Sequence, residues 1–234
     1  MNSEVWFEVQ AALQSSVCVT CIDLPGHGRS REVAFPLAYE QMLELLDAII
    51  PENASLIGWS LGGLIAQGLV LRKPEKYNRL VLIASNAQFQ QSQRWSCAMK
   101  PEVLDDFIKN LHENYRSTLQ QFLMLQALGA EDAKHTIREL RQRLFLHGEP
   151  DPAALENGLL YLKNISLIDR LGEIKIPVML VNGKLDSLVP VAAAEKMQKL
   201  IPHASLNLVE KAGHAPFLSH SERVITLLKK FLSS

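Results

Sequence analysis

The feature that most constrains this chain is the run Leu56-Ile57-Gly58-Trp59-Ser60-Leu61-Gly62-Gly63-Leu64-Ile65-Ala66. A short apolar stretch enters a Gly-x-Ser-x-Gly turn, and an apolar, glycine-studded helix leaves it. Strand, sharp turn and helix in that order lift a serine hydroxyl clear of a sheet edge. The turn is strained, and side chains two residues either side of the serine would meet neighbouring backbone. That accounts for glycine at Gly58 and Gly62. The amide of Leu61 then points into the site as an oxyanion donor.

The rest of the chain supplies the frame this turn needs. Trp6 to Leu13 has helical spacing, and Val17 to Leu24 reads as a buried strand. A turn cluster follows, Asp23-Leu24-Pro25-Gly26-His27-Gly28-Arg29-Ser30. Leu37 to Ile50 is a helix, Ala54 to Trp59 a strand, Leu61 to Arg72 a helix and Arg79 to Ala84 a strand. Such alternation implies a mostly parallel sheet with helices on both faces. Continuously apolar strands fit a sheet covered on both sides. Strand signals then stop. Pro101 to Tyr115, Ser117 to Leu128, Glu131 to Phe145 and Pro152 to Leu162 all have helical periodicity. The α/β rhythm returns with strands at Ile176 to Val181 and Ser205 to Val209, and helices at Ala192 to Leu200 and Ser221 to Leu232. The expected organisation is an α/β core at 1–84 and 170–234, with 85–169 as a helical lid.

A serine hydroxyl needs a base to take its proton and a carboxylate to orient that base. In open α/β sheets the reacting groups gather beyond the C-terminal strand ends. Asp186 follows one late strand in a Gly-x-x-Asp turn, and His214 follows the next in Lys211-Ala212-Gly213-His214-Ala215-Pro216-Phe217. The candidate catalytic set is therefore Ser60, Asp186 and His214. Asp23 is a rival carboxylate, but its Asp-x-Pro-Gly-x-Gly setting reads as a structural turn. This chemistry requires no cofactor and no metal.

Composition excludes other classes. A net charge of −1 and a pI of about 6.7 suggest no nucleic-acid or membrane surface. No apolar run approaches the ~20 residues of a membrane span. Met1 to Val5 has no basic start and no apolar core, so the expected location is the cytoplasm. Cys18, Cys21 and Cys97 are too few and odd in number for a disulfide scaffold. Cys18 and Cys21 read as buried strand residues.

These residues carry a resemblance. The chain resembles the α/β-hydrolases and, within them, the pimeloyl-acyl-carrier-protein methyl ester esterases of biotin synthesis. The matching segments are Asp23 to Ser30, Gly58 to Leu64, Lys100-Pro101-Glu102-Val103-Leu104, Phe122-Leu123-Met124-Leu125-Gln126 and Gly213-His214-Ala215-Pro216-Phe217. The resemblance implies hydrolysis of a methyl ester on a pimeloyl chain borne by acyl carrier protein; the chain itself is expected to be a monomer. The resemblance implies substrate contacts at Ser60, Leu61, Phe122, Leu123, Met124, Leu125, Gln126 and His214. It also implies an earlier strand and a His-Gly-x-Gly type loop with a second oxyanion donor, whose loss costs on the order of 10² to 10³ in rate. The given chain starts at the helix that would follow that loop. Met1 is accordingly expected to be internal, with roughly 20 to 25 further codons upstream encoding that strand and loop.

One charge pattern points to a protein-borne substrate by itself. Lys134, Arg138 and Arg141 stand at i, i+4 and i+7, so one helix face is basic. Arg143 adds charge nearby, and Glu139 offsets it. An acidic carrier could dock there. Two alternatives stay open: a lidded α/β-hydrolase for small free esters or ring-cleavage products, and a catalytically weakened acyl-binding protein.

Overall fold

The computed structural model describes residues 1–126, 129 and 133–233, and within them every side chain but those of Arg116, Leu125 and His135. A short 3-10 turn leads into α1 (Phe7–Leu13), and α2 (Tyr39–Ile49) follows a long irregular stretch. Then come β1 (Ala54–Trp59), α3 (Leu61–Arg72) and β2 (Tyr77–Ile83). Among the described residues, four α-helices lie between β2 and the next strand: α4 (Pro101–Glu113), α5 (Tyr115–Gln126), α6 (Ala133–Leu144) and α7 (Pro152–Asn164). The chain closes with β3 (Val178–Gly183), α8 (Val191–Leu200), β4 (Ala204–Val209), α9 (Pro216–Ser219) and α10 (Ser221–Ser233).

Among the described residues the sheet has four parallel strands in the order β1-β2-β3-β4. Trp59 lies opposite Ile83 and Gly183 opposite Val209, which brings the C-terminal strand ends into line. Leu80, Leu82, Val178 and Leu180 face one core layer; Val81, Ile83, Met179 and Val181 face the other. That is the two-residue period of a strand, on a sheet buried from both sides. The first layer is completed by α2, α3, α7 and α8, and the second by α1, α9 and α10. Helix starts follow local chemistry. Pro101 opens α4, and Asp151 caps α7 by accepting from the Ala153 amide at 3.0 Å. Among the described residues no helix is long and apolar enough to cross a membrane.

The segment from Val17 to Leu24, expected as a strand, makes no ladder. A strand requires a partner edge, and propensity alone does not supply one. Residues Val17 to Ile22 and the outer edge of β1 line one cavity instead of pairing. The cysteines expected to be buried in that strand are therefore exposed at Cys18 and half-buried at Cys21.

A buried ionic cluster ties α2 to the start of β2. Asp47 and Lys76 are both buried. Lys76 Nζ donates to Asp47 Oδ1 at 3.0 Å, the Tyr77 hydroxyl donates to the same oxygen at 2.9 Å, and Lys73 Nζ lies 2.5 Å from Oδ2. Burial alone would raise the Asp47 pKa, but hydrogen bonds from Lys73, Lys76 and Tyr77 outweigh it and hold it at about 2. A carboxyl depressed in the folded state contributes stability above its unfolded pKa and loses it as pH falls through the folded value. Asp47 therefore contributes stability at neutral pH that disappears between about 3.8 and 2. Asp47→Asn is expected to lower the urea midpoint at pH 7 and to shrink the decline across that acid window. Parallel declines in variant and wild type would show that the cluster is not its source.

Candidate active site

Ser60 stands between β1 and α3 at φ 52° and ψ −120°. Left-handed backbone is costly for a residue with a side chain, so the neighbours must impose it. The Ser60 amide donates to Ile83 O at 3.0 Å. Its carbonyl accepts from Ser85 Oγ at 2.8 Å and from the Gly63 and Leu64 amides at 3.0 and 3.2 Å. The two strands thus clamp the turn from one side while α3 closes it from the other. A Cβ on Gly58 would lie 2.5 Å from Gly62 O and from Gly63 Cα, both backbone atoms that cannot yield. Glycine there lets the strand and the helix start approach. Gly62, assigned the same role from the sequence, has open space where its Cβ would be. The crowded position is Gly63, whose Cβ would strike Ser85.

Asp186 and His214 come from the loops after β3 and β4. His214 Nε2 is 2.9 Å from Ser60 Oγ, and His214 Nδ1 is 2.9 Å from Asp186 Oδ2. The other Asp186 oxygen accepts from the Leu188 and Val189 amides at 2.8 and 2.9 Å. With a carboxylate at Asp186, Nδ1 carries the proton and donates, which leaves Nε2 free to accept from the serine hydroxyl. The two loops are also tied to each other, since the Leu185 amide donates to Ala212 O at 2.9 Å. Ser60 and His214 line one large apolar cavity, and Asp186 lies behind His214. Asp186 and His214 are buried, so little water screens their interaction.

The Leu61 amide opens α3 directly behind the serine. First-turn amides have no intrahelical acceptor, so such a group is available to an oxyanion. Asp23, the rival carboxylate, accepts from the Ser3 amide at 2.5 Å and the Arg29 amide at 2.9 Å and so ties its turn to the N-terminal 3-10 turn. His27, in the same turn, lines the cavity. Its Nδ1 donates to Pro25 O at 2.9 Å, and burial pushes its pKa down to about 4, leaving it neutral at physiological pH.

The cavity has a volume of about 770 Å³ and is lined by Ser60 and His214 together with residues of α4, α5 and α7. Of the segment Phe122 to Gln126, Phe122 lines it. Leu123 points away into the second core layer with Leu119, Leu140 and Leu144. Met124 is 54% exposed, and Gln126 is buried with its Nε2 donating to Phe122 O at 3.0 Å. The Leu125 side chain lies outside the described residues. Five consecutive helical positions sweep all the way round the axis, so they cannot all face one cavity. Lining residues that sequence reasoning did not single out include Phe107, Leu111, Leu119, Leu155 and Leu159. Their signal was present as the apolar stripes of α4, α5 and α7. Lys134, Arg138 and Arg141 are exposed along α6, away from the cavity lining. Arg143 turns inward, with its guanidinium 3.4 Å from the centre of the Phe7 ring and 3.4 Å from Glu139.

Known proteins share this fold. The family model described as alpha/beta hydrolase fold matches residues 1–221. A pimeloyl-[acyl-carrier protein] methyl ester esterase of Aliivibrio salmonicida is 37% identical over 232 residues, covering 99% of this chain and 88% of that protein. The protein of the same name from Aeromonas hydrophila is 39% identical over 235 residues, covering 99% of this chain and 91% of its own. Among solved structures, an esterase from Exiguobacterium antarcticum superposes with a TM-score of 0.89 at 21% identity, over 100% of this chain and 88% of that one. An enol-lactonase from Burkholderia xenovorans does so with a TM-score of 0.85 at 19% identity, over 100% and 87%. A shared fold across such different activities says nothing of substrate, whereas the curated relatives share more than a third of their residues along nearly the whole chain. The chain belongs to the α/β-hydrolase family and, within it, groups with the pimeloyl-[acyl-carrier protein] methyl ester esterases.

Proposed function

We propose that this chain is a serine carboxylesterase that hydrolyses the methyl ester of a pimeloyl chain carried by acyl carrier protein, in the cytoplasm and as a monomer. The observation that carries the reading is the unbroken chain Ser60–His214–Asp186, with 2.9 Å at each link, at the end of an apolar cavity. Ser60 Oγ attacks the ester carbonyl carbon while His214 Nε2 takes its proton. The Leu61 amide donates to the oxyanion that forms. As the tetrahedral intermediate collapses, His214 returns the proton to the methoxy oxygen and methanol leaves. Water then attacks the acyl-enzyme with His214 again as base, and the acid is released. Asp186 holds the imidazole in the accepting tautomer and stabilises the imidazolium.

The substrate class follows from the shape and polarity of the cavity, read with the names of the relatives. The ester cleaved is at the far end of the acyl chain from the carrier. The chain must therefore thread an apolar passage, along walls such as Phe122, to bring that end to Ser60. A methyl ester enters such a passage without charge; the carboxylate produced is costly to keep there, which favours release. Residues 85–169 act as the lid in this reading. The exposed Lys134, Arg138 and Arg141 face on α6 receives the acidic carrier.

Ser60→Ala and His214→Ala are each expected to cut turnover of a carrier-bound methyl ester by on the order of 10⁴ or more, with the circular-dichroism spectrum unchanged. Wild-type turnover in either variant would overturn the mechanism. Reversing charge with Arg138→Glu and Arg141→Glu should raise KM for the carrier-bound ester and leave a short p-nitrophenyl ester unaffected, and added salt should mimic it. Equal effects on both esters would remove the docking face. A wild-type enzyme that favours the short free ester over the carrier-bound one would remove the carrier from the reading altogether.

A further inference from the structure

We propose that Trp59 is a positioning residue for His214, acting through the carbonyl of that histidine. The inference rests on the serine-esterase reading of Ser60, His214 and Asp186. Trp59 ends β1, one residue before Ser60, and is buried. Its indole Nε1 donates to His214 O at 2.8 Å, across 155 residues of sequence. The same ring lies 5.7 Å from the His214 imidazole at an interplanar angle of 49°, and 5.2 Å from Phe217 at 70°. Phe217 in turn stacks on Trp6 at 4.4 Å, which walls off the far side.

The site consists of two separately built parts. One is the elbow, held on β2 through Ile83 and Ser85. The other is the pair of loops carrying Asp186 and His214, which are tied to each other through Leu185 and Ala212. Among the described residues, two hydrogen bonds join these parts directly: the reacting contact between Ser60 and His214, and the indole bond to the His214 carbonyl. The reacting contact must break and re-form during turnover. The indole bond takes no part in the chemistry, so it can hold the distance between the parts throughout. The His214 loop needs such a hold. Lys211 is in left-handed backbone at φ 58°, and His214 lies between that turn and the start of α9. Without the donor, the His214 carbonyl is buried and unpaired, and the loop gains by shifting to find another partner. A displacement well under 1 Å at the imidazole already degrades the alignment that proton transfer requires.

The test separates the N–H from the ring. Benzothienylalanine in place of Trp59 keeps the bicyclic shape and replaces the N–H with sulfur, and Trp59→Phe keeps an aromatic ring alone. Both are assayed on a short p-nitrophenyl ester beside wild type and Ser60→Ala. The expected result is a fall in kcat of about tenfold or more for both, with KM within about twofold of wild type. The low-field proton resonance of the Nδ1–H between His214 and Asp186 should shift or broaden in parallel. A purely structural tryptophan would lower the melting temperature while leaving kcat and that resonance unchanged. If Ser60→Ala is inactive and the benzothienylalanine enzyme keeps wild-type kcat, the positioning role is refuted and the esterase reading stands. If Ser60→Ala retains activity, the esterase reading fails and this inference with it.

Discussion

Ser60 is held at φ 52°, a conformation that costs a non-glycine residue on the order of 1–3 kcal/mol, and the surrounding fold must supply that energy. The hold is built from the sheet outward. Parallel register sets Trp59 against Ile83, so the Ile83 carbonyl is in place for the Ser60 amide. Ser85, just past the same strand, reaches back to the Ser60 carbonyl. Helix α3 is buried on nearly every side and cannot slide, and the missing side chain at Gly58 lets its first turn sit against β1. Each of these contacts belongs to packing; together they present a hydroxyl at a cavity rim.

The same economy governs the partners. Gly183 ends β3 where a Cβ would lie 2.2 Å from Gly213 O, so the Asp186 and His214 loops can come into contact only over a glycine. Asp186 is a desolvated carboxylate, tolerable because two amides and one imidazole satisfy it. Low local dielectric then strengthens the link that keeps His214 oriented. The cavity leading to these groups is lined mostly by aliphatic and aromatic side chains, which suits an uncharged acyl chain and disfavours its charged product.

What could be read from the sequence was what is decided locally. The boundaries of β1 and α3 follow from an apolar run, a glycine-flanked serine and a second apolar run, and they fall where expected. The order Ser60, Asp186, His214 was legible because loops after parallel strands share one sheet end. Non-local choices were not legible. Val17 to Leu24 has the composition of a strand, yet pairing depends on an edge elsewhere in the chain. Leu123 is as apolar as Phe122, and only the packing of α5 against α6 sends one inward and the other to the cavity. Arg143 reads as another surface cation, but Phe7, far away in sequence, draws its guanidinium over a ring. The indole bond of Trp59 to the His214 carbonyl has no sequence signature, since any residue could offer that carbonyl.

The arrangement of Ser60, His214 and Asp186 is that of an activated serine. A fluorophosphonate probe tests it most directly, because the probe reacts with an activated serine whatever the natural acyl group. Mass spectrometry of the labelled and digested protein is predicted to show one adduct per chain, on the peptide containing Ser60. A folded chain that takes up no probe, or that carries the adduct on another residue, would contradict the account.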